Sequence, residues 1–235
     1  MKYISIKSMT VLALGGMMIL GLTSVQAGFG LGDITGKKKT VDSGGSALTK
    51  ESFAQSADQA AGNLMVARIA FLDAKAKMMD ALGVKSDSVA KASEALRAKE
   101  GSTSDKVKAL ETASKTTADA DKEFEAKMAE SKELSAESKA KFAEGSVKFI
   151  EGVLLEKAQI ETIQKLVEQG QSLVQSAGPL EKVGVLSVIK PVTSMATMVP
   201  GDVKEGTTTL SKIMKFSQSQ NVTIPKDATD KIGSL

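Results

Sequence analysis

The 235-residue chain contains no cysteine, no histidine and no tryptophan, and aromatic residues make up 3% of it. The absence of cysteine excludes disulfides, thiolate nucleophiles, zinc–thiolate sites and iron–sulfur clusters. The absence of histidine excludes Ser-His-Asp chemistry and removes the commonest general base near neutral pH. So few aromatic rings also argue against stacking platforms for nucleic acid or sugar. We therefore expect a protein that is not an enzyme, with no catalytic residue, no metal site and no cofactor.

The first 27 residues have the layout of a bacterial secretory signal peptide. Lys2 and Lys7 precede an uncharged, mostly apolar run over 9–22, and VQA at 25–27 places small residues before a cleavage site. We expect cleavage after residue 27 and a periplasmic or secreted protein. The alternative is an uncleaved anchor, although the apolar run is shorter than the roughly 20 residues of a spanning helix.

Charge gives no indication of a nucleic-acid partner. The formal net charge of the whole chain is +3, but residues 1–27 carry two lysines and no acid, so the remainder is nearly neutral. A nucleic-acid-binding domain would instead show a strongly basic face. We predict no nucleic-acid binding.

Residues 28–48 are rich in glycine and have neither a helical nor an alternating pattern, so we interpret them as a flexible leader. Lys37, Lys38 and Lys39 follow one another in this segment. They are candidates for contact with anionic lipid headgroups, with a solvated tether as the alternative. The glycines here lack the preceding strand and the spacing that a nucleotide-binding loop needs.

From residue 49 onward, apolar residues recur at the spacing of one helix face. Thr49 can cap the first helix, and Gly83 can end it in a left-handed conformation. A denser apolar stripe predicts a long central helix near 138–177, begun by Ser135 or Ser138 and ended where Gly178-Pro179 breaks it.

The central helix contains a local seven-residue repeat, KFAEGSV at 141–147 followed by KFIEGVL at 148–154. It stacks Phe142 over Phe149 and Gly145 over Gly152. Small residues seven apart let the backbone of a partner helix approach closely. We therefore predict that these four residues mediate helix packing.

Residues 86–134 contrast with that helix because large apolar residues are sparse among alanine, serine, threonine, lysine and acids. Ser86 and either Ser102 or Ser104 can cap two helices, separated at Gly101. We predict a polar helical hairpin that forms an arm or an outer layer. Disorder over 86–141 is the alternative, since a thin apolar stripe buries little area.

The segment 183–199 has the opposite character, with Lys190 as its only charge. Pro191 should break or kink it, and Pro200-Gly201 should close it before a last helix from 204 to 217. One interpretation is a buried helix–kink–helix. The alternative is a membrane-contacting element, for which Val188 and Ile189 are the candidate contact residues. Residues 221–235 should form a polar tail.

Carboxylates are the remaining catalytic apparatus. Glu137, Glu144 and Glu151 share a helix face, but lysines interleave with them, which is typical of exposed ion pairs. The acids at 119–125 lie in a helical stretch without the glycine-centred turn of a calcium loop. A glycosidase that uses two glutamates is an alternative that would need carboxyl groups about 5–10 Å apart around a sugar-sized cleft.

Together these patterns predict an all-α, elongated bundle of four to six helices over 49–220, with a long central helix and the polar hairpin at 86–134. In composition the chain resembles small exported coiled-coil chaperones of the bacterial envelope, with near-complete helix, alanine- and lysine-rich segments and no cysteine. That resemblance covers no motif and assigns no residue. We expect a binding, scaffold or chaperone-like protein with a protein partner or self-association, and membrane contact as the alternative.

Overall fold

The structure, a computed structural model, describes residues 48–233, which are all-helical and contain no strand. Six helices follow one another along the chain and pack together. They are α1 (Lys50–Ala81), α2 (Asp87–Arg97), α3 (Thr103–Glu130), α4 (Ala136–Ser176), α5 (Lys182–Ser219) and α6 (Lys226–Ile232). The predicted all-α bundle is confirmed, with α4 as its long central helix. The predicted signal peptide at 1–27 and all of the predicted leader at 28–48 except Leu48 lie outside the described residues.

Local capping explains where α1, α3 and α4 begin. At α1, the Thr49 hydroxyl accepts a hydrogen bond from the Ser52 N–H, and the Ser52 hydroxyl accepts one from the Thr49 N–H. Both hydrogen bonds are 3.1 Å long. Ser102 caps α3 in the same reciprocal way, and Ser135 accepts from a backbone N–H at the start of α4. Each cap satisfies N–H groups that have no partner within the helix. After α1, Gly83 takes a positive φ of 69°, as its position at a helix end predicts.

The largest interface joins α1 to α4, and the repeat in α4 lies on it. A Cβ added at Gly145 would lie 2.6 Å from Met78 Cγ and 3.0 Å from Ala74 O, so only glycine fits there without a shift. A Cβ at Gly152 would lie 3.2 Å from the backbone nitrogen of Phe71. We call this contact the glycine seam.

The two phenylalanines of the repeat are fully buried and reach different neighbours. The ring of Phe149 lies 4.2 Å from that of Phe71 on α1, and the ring of Phe142 lies 5.0 Å from that of Phe216 on α5. Tilted aromatic pairs at such distances add to the stabilisation from burial alone. The central helix therefore packs against two helices through one repeated sequence.

The polar hairpin forms an outer layer of the bundle. Its few large apolar residues point inward and are buried, namely Val89, Leu96, Val107, Leu110, Phe124 and Met128. Charged residues of the layer bind α1 as well. Lys106 Nζ lies 2.8 Å from Asp58 Oδ1, and Arg97 pairs with Asp73. Of the two forms that the sequence left open, an arm or an outer layer, the contacts support the layer.

Helix α5 differs from its prediction, because it runs unbroken through both Pro191 and Pro200. An internal proline removes one backbone hydrogen bond and costs roughly 3 kcal/mol. The helix continues because Val192, Met195 and Val199 on the same face are fully buried in the core, which offsets that loss. The expected break at Pro200-Gly201 and the separate helix from 204 were wrong.

The segment after α5 also holds more structure than a polar tail. Asn221 adopts a positive φ of 53° and turns the chain, and α6 follows after Pro225. Val222 and Ala228 are buried against the bundle. Ile224 and Ile232, half-buried, also pack against the core, so several apolar contacts hold this short helix to its neighbours.

Candidate functional site: an exposed apolar corner and a buried charge cluster

The turn that joins α4 to α5 exposes three large apolar side chains. Leu180 is 96% exposed, Val183 is 76% exposed and Leu186 is 53% exposed. Their spacing of three residues places them side by side along the turn and the first turns of α5. We call these three residues the corner patch. Contiguous exposed apolar residues on a soluble domain are typical of interaction sites.

The backbone around the corner patch is well ordered by hydrogen bonds. The N–H groups of Glu181 and Lys182 both donate to the carbonyl of Gly178, at 3.0 and 3.1 Å. The Glu181 carboxylate in turn accepts from the Gly178 N–H at 3.3 Å. The exposed side chains are thus carried on a hydrogen-bonded turn.

The corner patch lies beside the start of α1. Leu48, Lys50, Leu180 and Gly184 line one open cleft of about 560 Å³. A Cβ added at Gly184 would lie 3.0 Å from the ammonium of Lys50. The first described residues of the chain and the α4–α5 turn therefore share one end of the bundle.

The structure places the predicted membrane or partner contact residues of α5 partly in the core. Val188 and Ile189 are half-buried and pack against the core. A Cβ added at Gly170 on α4 would meet Ile189 Cγ1 at 3.1 Å. Lys37, Lys38 and Lys39 lie outside the described residues. The signal that was overlooked is that Val183 and Leu186 fall off the stripe of buried residues formed by Val185, Val192, Met195 and Val199.

Within residues 48–233, α5 is the one helix that is both long and apolar enough to cross a membrane. In its most apolar 18-residue window, 28% of the residues are buried. The helix of a soluble core passes the same test of length and composition. The burial of Val192, Met195 and Val199 shows that one face of α5 belongs to the bundle.

A second unusual feature is a buried charge cluster on three helices, made of Arg68 on α1, Glu156 on α4 and Asp202 on α5. Arg68 is 7% exposed and Glu156 is 3% exposed. Arg68 donates a hydrogen bond to Asp202, and its Nε lies 3.3 Å from Glu156 Oε1 without forming a hydrogen bond. One guanidinium thus faces two carboxyl groups, of which Glu156 is buried and Asp202 is half-buried.

Burial changes the acidity of this cluster. Desolvation raises the pKa of Glu156 from 4.5 to about 7, because its ionised form is expensive away from water. The positive charge of Arg68 opposes this rise, whereas Asp202 and Glu205 add to it. Burial also raises the pKa of Asp202, against the attraction of Arg68.

A cleft of about 310 Å³ opens next to the cluster, between α1, α3 and α5. On its wall Lys75, 5% exposed, pairs with Asp121 and places its ammonium 4.9 Å from the centre of the Phe71 ring. Arg68 lies over the same ring at 5.7 Å. Cations above an aromatic face are attracted by its negative charge distribution.

The three charged groups are arranged as an ion cluster, in which Glu156 and Asp202 both face Arg68. Sequence reasoning did not find the cluster because its members come from three helices and share no spacing along the chain. A lone arginine within the apolar face of α1 was the available signal.

Several other acids pair with lysines, as an exposed surface predicts. Glu125 binds Lys212 at 2.7 Å, and Glu137 binds Lys141 at 2.7 Å. The hydrogen bond from Lys141 lowers the pKa of Glu137, and that from Lys77 lowers the pKa of Glu144. No group of three acids in the described part of the chain is arranged to hold a metal ion.

No family model, no curated protein and no solved structure matches the chain. Function is therefore inferred from its residues and their arrangement.

Proposed function

We propose that this protein is an exported, non-enzymatic binding or scaffold protein of the bacterial envelope and that it acts through the corner patch. The observation that supports this is the contrast between the patch and the rest of the bundle. Nearly all large apolar residues of the described chain are buried or half-buried, and the three at 180, 183 and 186 lie together in the open.

The energetic reason is the cost of leaving such residues in water. Covering a leucine or valine side chain completely is worth about 1.5–3 kcal/mol relative to exposing it. Three adjacent exposed side chains on a hydrogen-bonded turn therefore favour any surface that covers them. The signal-peptide pattern at 1–27 supports an exported protein, in which that surface belongs to the envelope.

Site-specific photo-crosslinking in cells tests this function. A photo-reactive amino acid replaces Val183, and a matched variant carries it at Val66, which is 57% exposed on α1. We expect covalent adducts, with protein or with lipid, at position 183 and not at position 66. A chain that is exported and folded but forms no adduct at 180, 183 or 186 would contradict the proposed function.

A further inference from the structure

We infer that the occupant of the corner patch is the surface of a lipid bilayer, into which Leu180, Val183 and Leu186 insert while the helices of the bundle stay outside. This inference rests on the proposed function and names the partner of the same site. It follows from the size of the patch, from the charges around it and from the place where the rest of the chain joins the bundle.

The patch is small for a protein partner. A standard protein–protein interface buries about 800 Å² on each partner and involves about 20–30 residues a side. Three aliphatic side chains are a small fraction of that area. The patch also contains no aromatic residue and no arginine, the types that dominate the binding energy of protein interfaces. A fluid bilayer requires no matching shape, so three protruding aliphatic side chains can insert into it.

The charges around the corner patch do not oppose contact with a bilayer that contains anionic lipids. From Lys182 to residue 201 the helix carries Lys182 and Lys190 and no acid. At the patch itself Lys50 and Lys182 are balanced by Glu51 and Glu181. Lysine stems can extend along an apolar surface while the ammonium reaches the headgroups. The local charge therefore does not oppose docking, and the apolar side chains drive it.

The chain outside the described residues joins the bundle at this same end. Residues 28–47, which follow the expected cleavage site, connect to Leu48, and Leu48 lines the cleft beside Leu180. Their sequence contains the lysines at 37–39. Basic residues near an anionic membrane surface are attracted to it. These lysines are thus linked to the end of the bundle where the patch protrudes.

The depth of insertion is limited by the packing of α5. Val185, Val192, Met195 and Val199 on this helix are buried in the core, and a span would expose the surfaces that they cover. The geometry therefore corresponds to a bundle that stands on a membrane surface at its α4–α5 corner.

The absence of tryptophan makes a direct test possible. Val183→Trp and Val66→Trp each introduce a single fluorophore into the full chain, at comparably exposed positions. Residue 66 lies about 24 Å along α1 from Lys50, at 1.5 Å per residue. Both proteins are mixed with vesicles of phosphatidylcholine and phosphatidylglycerol, with and without brominated acyl chains that quench tryptophan.

We expect the emission of the Val183→Trp protein to shift to the blue on vesicles and to lose intensity with brominated lipid, while the Val66→Trp protein changes in neither way. This comparison holds even where the apolar run 9–22 itself enters the bilayer, because the readout is specific to position. Leu186→Trp serves as a second reporter if the first variant loses its helical circular dichroism.

Equal quenching at positions 66 and 183, or no quenching at 183 and 186, would overturn the inference. A lack of quenching combined with protein adducts at position 183 in cells would leave the proposed function intact and assign the patch to a protein partner. A lack of both would remove the function and the inference together.

Discussion

Helix α1 meets its neighbours in two contrasting ways. In the glycine seam, Gly145 and Gly152 of α4 let the two helices approach so closely that an added Cβ would clash at Gly145 and would be tightly packed at Gly152. A short distance along α1, Arg68 and Lys75 reach carboxylates on α3, α4 and α5 across the charge cluster and its cleft. The seam is stabilised by close packing, and no charged group has to lose its hydration to form it.

The stability of the charged contacts depends on the difference between lost hydration and the attraction between partners. Burying each charge costs several kcal/mol of lost hydration, and the attraction between partners returns it only while all of them are present. The seam therefore resists additions of volume, whereas the cluster resists removal of a member. This difference determines which substitutions damage each region and how pH acts on them.

The largest effect should come from removing the shared cation. Arg68→Met keeps most of the side-chain volume but leaves the buried Glu156 and the half-buried Asp202 without their partner. Breaking a buried ion pair in this way costs about 3–5 kcal/mol. We expect a loss of that order in the free energy of unfolding at pH 8, measured by urea denaturation.

Arg97→Met is the matched control, because Arg97 pairs with Asp73 at a half-exposed position. An exposed pair of this kind contributes about 0–1 kcal/mol. Equal losses for the two variants would show that burial of the Arg68 cluster has no special energetic consequence.

The next largest effect should be the pH dependence of stability that Glu156 causes. The pKa of Glu156 in the folded state is about 7, above its ordinary value of 4.5. The folded state therefore binds more protons than the unfolded state between these values, so the contribution of this group to stability falls as pH rises from 4.5 to 7. At 1.36 kcal/mol per pKa unit, the loss amounts to up to about 3 kcal/mol.

Glu156→Gln should remove this dependence. We expect the variant to be more stable than the parent protein at pH 8 by about 1–3 kcal/mol, with the difference vanishing near pH 4.5. Thermal unfolding at a series of pH values measures it. Glu161→Gln, at an exposed position on the same helix, should follow the parent curve. A parent protein that gains stability from pH 5 to pH 8 relative to Glu156→Gln would refute the assignment.

A smaller effect tests the glycine seam: alanine substitutions at two glycines should change stability in opposite directions. Gly145→Ala places a methyl group against Met78 and the Ala74 carbonyl, and we expect a loss of about 1–2 kcal/mol from overpacking. Gly62→Ala on α1 meets open space. It should raise stability by about 0.5–1 kcal/mol through helix propensity. If both variants gained stability, the seam would not be as close as its geometry indicates.

The smallest effect belongs to the exposed acids of α4. Glu137→Gln removes the partner of Lys141 on a solvated face. Because water and salt screen such a pair, we expect an unfolding midpoint indistinguishable from that of the parent protein. A clear destabilisation would mean that this face is covered by a partner rather than by water.

Whether a sequence-based prediction of a helix end was correct depends on whether nearby residues alone determine that end. Thr49, Gly83 and Ser135 act within a few residues of themselves, and the structure places each at the helix end that the sequence predicted. The prolines of α5 obey an equally local rule, yet the helix continues through Pro191 and Pro200 because contacts with the core outweigh it. Export, the binding function and the absence of enzymatic activity stay predictions.

At the candidate site, too, local signals were not sufficient. The sequence indicates Val188 and Ile189 because they lie in an apolar segment, but composition does not show which side of a helix is covered. The exposed residues at 180, 183 and 186 emerge only when α4 and α5 pack and one face of α5 turns inward. The charge cluster was harder still to predict, because Arg68, Glu156 and Asp202 are far apart in the chain.

The amino-acid sequence by itself determined that this protein is helical, where most of its helices begin and end, and which glycines bring α1 and α4 together. These properties arise from caps, periodicity and side-chain volume, whose effects act over a few residues. The tertiary structure alone decided that α5 is one helix, that one arginine faces a buried and a half-buried acid, and that three apolar residues stay exposed at the α4–α5 turn. Burial and charge pairing depend on every neighbour in space, and a neighbour in space need not be a neighbour along the chain.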